Sequence, residues 1–169
     1  RLHALGGRAG GGLRRGRGGD GAGGSPPLVL LHGFTGCGLG WSHAAAVLSA
    51  PARILAPDLP GHGESAPRGG ESAAASDRSD ARRAERCTFD AAASGLEAAL
   101  DAAGVTSCDL HGYSMGGRLA LYFALTRPVR VRRVSLESAS AGLASARERE
   151  ARMSHVQQLA RFALEDGIE

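Results

Sequence analysis

Apolar residues along this chain come in short clusters whose spacing switches between strand-like and helix-like periods. Leu28-Val29-Leu30-Leu31 is an unbroken aliphatic run between Pro26-Pro27 and His32-Gly33, and it reads as a buried strand. Trp41 to Leu48 predicts a short helix, and Arg53–Ala56 a second strand stopped by Pro57. From Thr88 onward, Phe89, Ala92, Ala93, Leu96, Ala99, Leu100 and Ala103 fall on one helical stripe, with Thr88 placed as N-cap and Gly104 just past the end. Ser107–His111 predicts a strand, Gly116–Thr126 a helix closed by Pro128, and Val131–Leu136 another strand. Met153, Val156, Ala160, Ala163 and Leu164 then share one face of a last helix. Strands alternating with helices of this length predict a mostly parallel α/β sheet with helices on both faces.

Two stretches carry no such pattern. Residues 6–24 hold eleven glycines, too much backbone entropy for too little apolar surface, so 1–26 is expected to be a flexible Gly/Arg-rich leader. Residues 66–87 contain no Val, Ile, Leu, Met or aromatic residue and predict a solvated, disordered insertion. The net charge of +3 is concentrated in the leader. Residues 1–24 carry five Arg against one Asp, and the other 145 residues balance to −1, so no nucleic-acid surface is indicated. Three scattered cysteines give neither a disulfide framework nor a metal-ligand pair. No apolar run approaches the ~20 residues of a membrane span. The chain starts with Arg, which fits a piece of a longer, multidomain product, a transit peptide or a fusion linker.

Between the strand ending at His111 and the helix starting at Gly116 lies Gly112-Tyr113-Ser114-Met115-Gly116, a G-x-S-x-G turn. Such a turn is sharp enough to hold its Ser at positive φ, and the residues two positions either side must lack a Cβ. It presents the Ser114 hydroxyl at a helix N-terminus, where N–H groups and the helix dipole favour a developing anion. Met115 N–H is then one oxyanion donor, and Phe34 N–H, in His32-Gly33-Phe34 after the first strand, is the other. His32 fits a histidine bonding its own loop. Asp58 and His62, in Pro57-Asp58-Leu59-Pro60-Gly61-His62-Gly63-Glu64-Ser65, look like a catalytic pair, but a tight Gly-bounded turn explains them equally well.

The order of these three motifs resembles the α/β-hydrolase superfamily over residues 27–165. The resemblance implies that the Asp58–His62 turn is structural, and a Ser at the elbow sets the chain apart from members whose nucleophile there is Asp. It divides the chain into a core over 27–143 and the start of a helical cap over 144–169. Within the superfamily, Arg118 four residues after Ser114, and Leu136–Leu143 followed by Arg147, Arg149 and Arg152, resemble the pyruvate-eliminating 2-succinyl-6-hydroxy-2,4-cyclohexadiene-1-carboxylate synthases of menaquinone and phylloquinone biosynthesis. That likeness implies a small-molecule carboxylate substrate, no cofactor and no metal, with Tyr113, Arg118 and Arg149 as substrate-binding residues beside the catalytic Ser114. Guanidinium forks suit such a substrate because they grip carboxylates with two parallel bonds. Arg147 and Arg152, interleaved with Glu148 and Glu150, fit a solvated helix face as well.

Alternatives from other classes stay open: a general serine hydrolase or carboxylesterase, which needs an apolar acyl pocket, or a non-catalytic relative that binds a ligand or partner. The family order of Ser, then Asp, then His is not met, because His155 precedes Asp166 and sits in the cap-like helix. The chain is therefore expected to be C-terminally truncated, to turn over poorly by itself, and to leave an apolar sheet edge uncovered. A soluble protein is expected, of the plastid stroma in a photosynthetic eukaryote and of the cytoplasm otherwise.

Overall fold

A computed structural model describes residues 1–5, 26–48, 53–65 and 88–165. Most of the expected leader, the whole 66–87 insertion and Asp166 lie outside these residues. The chain divides into two units, Arg1–Ala139 and Ser140–Glu169.

The first unit is built on a sheet that has five strands among the described residues, ordered β1-β3-β2-β4-β5. These are β1 (Leu2–Leu5), β2 (Leu28–Leu31), β3 (Ile54–Pro57), β4 (Cys108–Tyr113) and β5 (Val131–Glu137). β2 pairs in parallel with β3 on one side and β4 on the other, and β5 continues in parallel beyond β4. The chain thus winds outward from β2 in both directions. The loops that leave β2 and β4 emerge side by side at the point where the winding reverses, the crevice in which open α/β sheets bind ligands.

The pleat of β2 sorts its side chains between two cores. Val29 and Leu31 join Leu55, Cys108 and Leu110, facing Leu96 and Leu100 of α2 (Phe89–Ala102) and Leu119 and Phe123 of α3 (Met115–Thr126). Leu28 and Leu30 join Leu5, Ile54 and Ala56, facing Ala45 of α1 (Ser42–Val47). Helices cover both faces, as the pattern predicts. Leu31, Leu110 and Phe123 are at most 1% exposed, and each contributes about 1.5–3 kcal/mol of hydrophobic burial. Arg127 and Arg130 tie the end of α3 to α2 through a shared carboxylate, that of Glu97.

Local signals act as expected at α2. Thr88 Oγ1 accepts the Ala91 N–H at 3.1 Å, and Gly104, at φ 68°, closes the helix with Val105 N–H bonded to Leu100 O and its own N–H to Asp101 O.

Several boundaries depart from expectation, and β3 takes in Pro57, the residue expected to stop it. The first residues are not leader: Leu2–Leu5 forms a strand antiparallel to β3, with Leu2 opposite Pro57. Four residues before a glycine run give no local signal, and the pairing comes from β3's free edge and from His3, which reaches Asp58. A 3₁₀ turn over Gly38–Trp41 precedes α1, where the sequence suggests one helix from Trp41. β4 runs two residues past His111, because its ladder to β2 and β5 continues through Gly112 and Tyr113. In β5, Val134 and Leu136 are each 41% exposed.

The second unit carries α4 (Ala146–Glu165). It opens with a reciprocal cap in which Glu148 N–H donates to Ser145 Oγ and Ser145 N–H donates to the Glu148 carboxylate. Met153, Val156 and Leu159 along it are exposed.

Candidate active site

Ser114 sits between β4 and α3 at φ 52° and ψ −110°, the strained turn that the glycine spacing predicts. Its glycines are close-approach positions. A Cβ on Gly112 would lie 2.5 Å from the carbonyl carbon of Gly116, and one on Gly116 would meet the Leu31 carbonyl carbon at 2.5 Å and His32 O at 2.6 Å. Any side chain there would push the elbow off the end of β2. The turn is held by Ser114 N–H donating to Glu137 O at 2.9 Å and by Arg118 N–H donating to Ser114 O at 3.1 Å. Met115 is the first helical residue, so its N–H has no partner one turn back within α3.

The loop leaving β2 lies against this elbow. A Cβ on Gly33 would be 3.7 Å from Ser114 Cβ and 2.9 Å from Tyr113 Cδ1. Tyr113, expected to bind substrate, thus lays its ring against Gly33 while staying 43% exposed. His32 is buried, and its Nε2 accepts the Leu59 N–H at 3.0 Å. A backbone N–H can only donate, so Nε2 is unprotonated and Nδ1–H donates to Gly33 O at 2.7 Å. Burial holds the His32 pKa below the ordinary histidine value, only partly offset by the Gly33 bond, and the ring is neutral.

Asp58 has a side chain only 1% exposed. It accepts Gly38 N–H at 2.7 Å, Glu64 N–H at 2.9 Å and His3 Nε2 at 2.9 Å. Burial would raise its pKa, but the His3 bond and the two backbone N–H groups outweigh it and bring the carboxyl to about 2. A Cβ on Gly63, at φ 52°, would strike that carboxylate. His62 places Nδ1 2.9 Å from Pro60 O and Nε2 2.5 Å from Phe34 O. The hydrogen bonds of Asp58 and His62 run to the backbone and to β1, so both belong to the scaffold rather than to a catalytic pair.

An apolar cavity of about 200 Å³ borders the elbow, lined by Phe34, Leu59, Pro60, Phe89, Met115 and Leu119 among others. Arg118, half-buried, lies one helical turn beyond Ser114. Arg149 belongs to the second unit, where its Nη1 donates to Leu143 O at 2.9 Å and Ala144 O at 3.0 Å. Arg147, Arg152 and His155 are exposed on α4. Among the histidines to which the sequence gives no role, His3 bonds Asp58, and His111 of β4 lies 3.2 Å from Ser135 Oγ and edge-on to Trp41. Cys108 is buried, and burial pushes its thiol up to about 11, so it is an unreactive core residue. Among the described residues no three His, Cys, Asp or Glu side chains converge as metal ligands, and no helix is long and apolar enough to cross a membrane.

Comparison with known proteins matches residues 26–168 to the family model of the α/β-hydrolase fold. The 2-succinyl-6-hydroxy-2,4-cyclohexadiene-1-carboxylate synthase of Serratia proteamaculans (strain 568) is 35% identical over 132 residues, 77% of this chain and 45% of that enzyme. A Bacillus subtilis (strain 168) protein, named provisionally for the same synthase, is 36% identical over 151 residues, 89% of this chain and 50% of its own length. The acetyltransferase component of a Pseudomonas putida acetoin-cleaving system is 38% identical over 123 residues, 73% of this chain and 29% of that protein. Among solved structures, MenH from S. aureus superposes with a TM-score of 0.67 at 28% identity, covering 89% of this chain and 52% of MenH. The chain therefore spans about half the length, or less, of these relatives.

Proposed function

The chain belongs to the α/β-hydrolase fold family, and from that premise we propose that it carries the nucleophile elbow and oxyanion loop of a lyase of the 2-succinyl-6-hydroxy-2,4-cyclohexadiene-1-carboxylate synthase type, which eliminates pyruvate from a cyclohexene polycarboxylate in quinone biosynthesis. The observation that carries the reading is Ser114 at φ 52° with the Gly33-Phe34 loop against it. The synthase names of the relatives from Serratia and Bacillus support this reading among the chemistries of the fold.

Each residue has a role in this reading. Elimination proceeds through removal of a proton next to a carboxyl or carbonyl group, and charge develops on oxygen. N–H donors fixed in advance stabilise such charge without reorganising at the moment of reaction. Met115 N–H and Phe34 N–H supply them, and Ser114 Oγ handles the proton. Ser alone is a weak base and needs a histidine oriented by an acid. His32 and Asp58 are already committed to other partners, so neither is given that role. Arg118 is the carboxylate-binding residue of the first unit, with Tyr113 at the rim, and Arg149 in the second unit keeps that role by resemblance. The compartment follows the pathway: the plastid stroma in a photosynthetic eukaryote, the cytoplasm otherwise.

A second reading, a serine hydrolase for acyl esters, is favoured by the apolar cavity beside Phe34 and Met115. Turnover of the full-length gene product on a succinylated cyclohexene polycarboxylate and on short acyl esters separates the two. The lyase reading predicts pyruvate release, and predicts that Arg118→Ala lowers kcat/KM by roughly 10–100-fold, the worth of a charged hydrogen bond of about 1.5–3 kcal/mol. Ester turnover without pyruvate release, unaffected by that substitution, establishes the second reading instead.

A further inference from the structure

We propose that His32 and His62 are a paired brace that fixes both peptide planes of Phe34 and so holds the Phe34 N–H in place as an oxyanion donor. The inference rests on the oxyanion role given to Phe34 above, and it deepens that role by naming what positions the donor.

Something other than packing holds Phe34. Its side chain is 72% exposed, so hydrophobic packing cannot set the backbone of this turn. Hydrogen bonds must, and each of the two peptide units of Phe34 receives an imidazole. The Gly33–Phe34 unit contains Gly33 C=O and Phe34 N–H. His32 Nδ1–H donates to that carbonyl at 2.7 Å, and Gly36 N–H donates to it as well at 3.0 Å. No peptide in the described residues is cis, so Phe34 N–H points to the side opposite that carbonyl. Fixing Gly33 O therefore fixes the direction of the donor. The Phe34–Thr35 unit contains Phe34 C=O, which lies 2.5 Å from His62 Nε2.

Both imidazoles are themselves held. Leu59 N–H locks the His32 tautomer, because only a ring with unprotonated Nε2 can accept it. His62 faces Pro60 O with Nδ1 and Phe34 O with Nε2; both oxygens can only accept and a neutral ring carries one N–H, so the brace uses the tautomer with that proton on Nε2. The two rings pack at 5.0 Å between centroids, and the Phe34 ring meets His62 edge-on at 5.8 Å. Leu59, Pro60 and His62 all come from the turn that the Asp58 carboxylate gathers, so the brace couples that turn to the donor. These are positioning residues: neither ring is assigned contact with substrate.

The test uses the different reach of two amides. Asn places its N–H₂ near the position of a histidine Nδ1, and Gln near that of Nε2. At residue 32 the required donor is Nδ1, and at residue 62 it is Nε2. His32→Asn and His62→Gln should therefore preserve the brace, while His32→Gln and His62→Asn should break it. In the full-length gene product, ¹³C spectra of the Gly33 and Phe34 carbonyls report each bond directly, and steady-state kinetics report the consequence. The expected result is crossed. His32→Gln moves the Gly33 carbonyl signal and His62→Asn that of Phe34, each with kcat lowered roughly ten- to a hundredfold and KM little changed. The Asn variant at 32 and the Gln variant at 62 stay within a few-fold of the unmodified protein.

Carbonyl signals that fail to cross overturn the brace, whatever the kinetics. Crossed signals with equal kcat in all four variants overturn its link to catalysis. If the unmodified protein turns over neither substrate class, the reading of Ser114 fails, and the carbonyl signals alone then decide whether the brace exists.

Discussion

Replacing Asp58 by Asn changes one atom and should cost the fold about 3–5 kcal/mol. The carboxylate accepts three hydrogen bonds, from Gly38 N–H, Glu64 N–H and His3 Nε2, in a site 1% exposed. An Asn in the same rotamer keeps one acceptor oxygen and turns an N–H₂ toward at least one of these donors. A buried N–H left without an acceptor costs about 1–3 kcal/mol, and bonds to a neutral oxygen are weaker than bonds to a charged one by about 1 kcal/mol each. The pKa gives an independent scale. A carboxyl lowered from 3.8 to about 2 corresponds to on the order of 2 kcal/mol of preference for the charged form. Because the folded pKa lies below the unfolded one, this stability is fully present above pH 3.8 and is lost as pH falls toward 2. Urea titration at neutral pH should show a lower midpoint with an unchanged slope, and the same titration in acid should show a shallower loss for the Asn variant than for the original protein. A loss below about 1 kcal/mol at neutral pH, or an identical acid profile for both proteins, would mean that the Asp58 charge does not hold this turn together.

Gly116→Ala should destabilise the protein by about 1–3 kcal/mol or more, because the new methyl would overlap the Leu31 carbonyl carbon and His32 O, backbone atoms that cannot rotate away. A thermal melt checks this, and a variant as stable as the original would mean that β2 and α3 are not locked as described. His32 gives a second pH dependence. Burial lowers its folded pKa below 6.5, so its contribution is present above that pH and declines as pH falls below it toward the folded value. His32→Asn should flatten that part of the stability profile, and an unchanged slope below pH 6.5 would show that His32 titrates as it does in the unfolded chain.

Legibility in the sequence followed the range of the physics. The elbow could be read because its constraint is local: a Ser at positive φ with glycines two residues away is a statement about five neighbouring residues, and Gly112 and Gly116 are tight in the predicted way. The α2 caps at Thr88 and Gly104 are local too. What escaped was non-local. β1 exists because Leu2–Leu5 finds the edge of β3 some fifty residues away, and no pattern in four residues before a glycine run announces that. The environment of Asp58 was legible only as a turn, since one of its donors, His3, arrives from that unforeseen strand. His32 reads as a histidine bonding its own loop, and the resemblance alone makes the His62 turn structural, but their shared attachment to Phe34 required two loops to be brought together by the sheet. The resemblance places Tyr113 with the substrate; that its ring also lies against Gly33 depends on two loops meeting and has no local signal.

The proposed reaction makes Ser114 at this elbow the residue through which pyruvate is eliminated. Coupled measurement of pyruvate release from a succinylated cyclohexene polycarboxylate, by the full-length gene product and its Ser114→Ala variant side by side, tests it most directly. Release is expected from the unmodified protein, with a loss of roughly a thousandfold or more in kcat for the variant and folding intact. Pyruvate release that survives the loss of the Ser114 hydroxyl would contradict it.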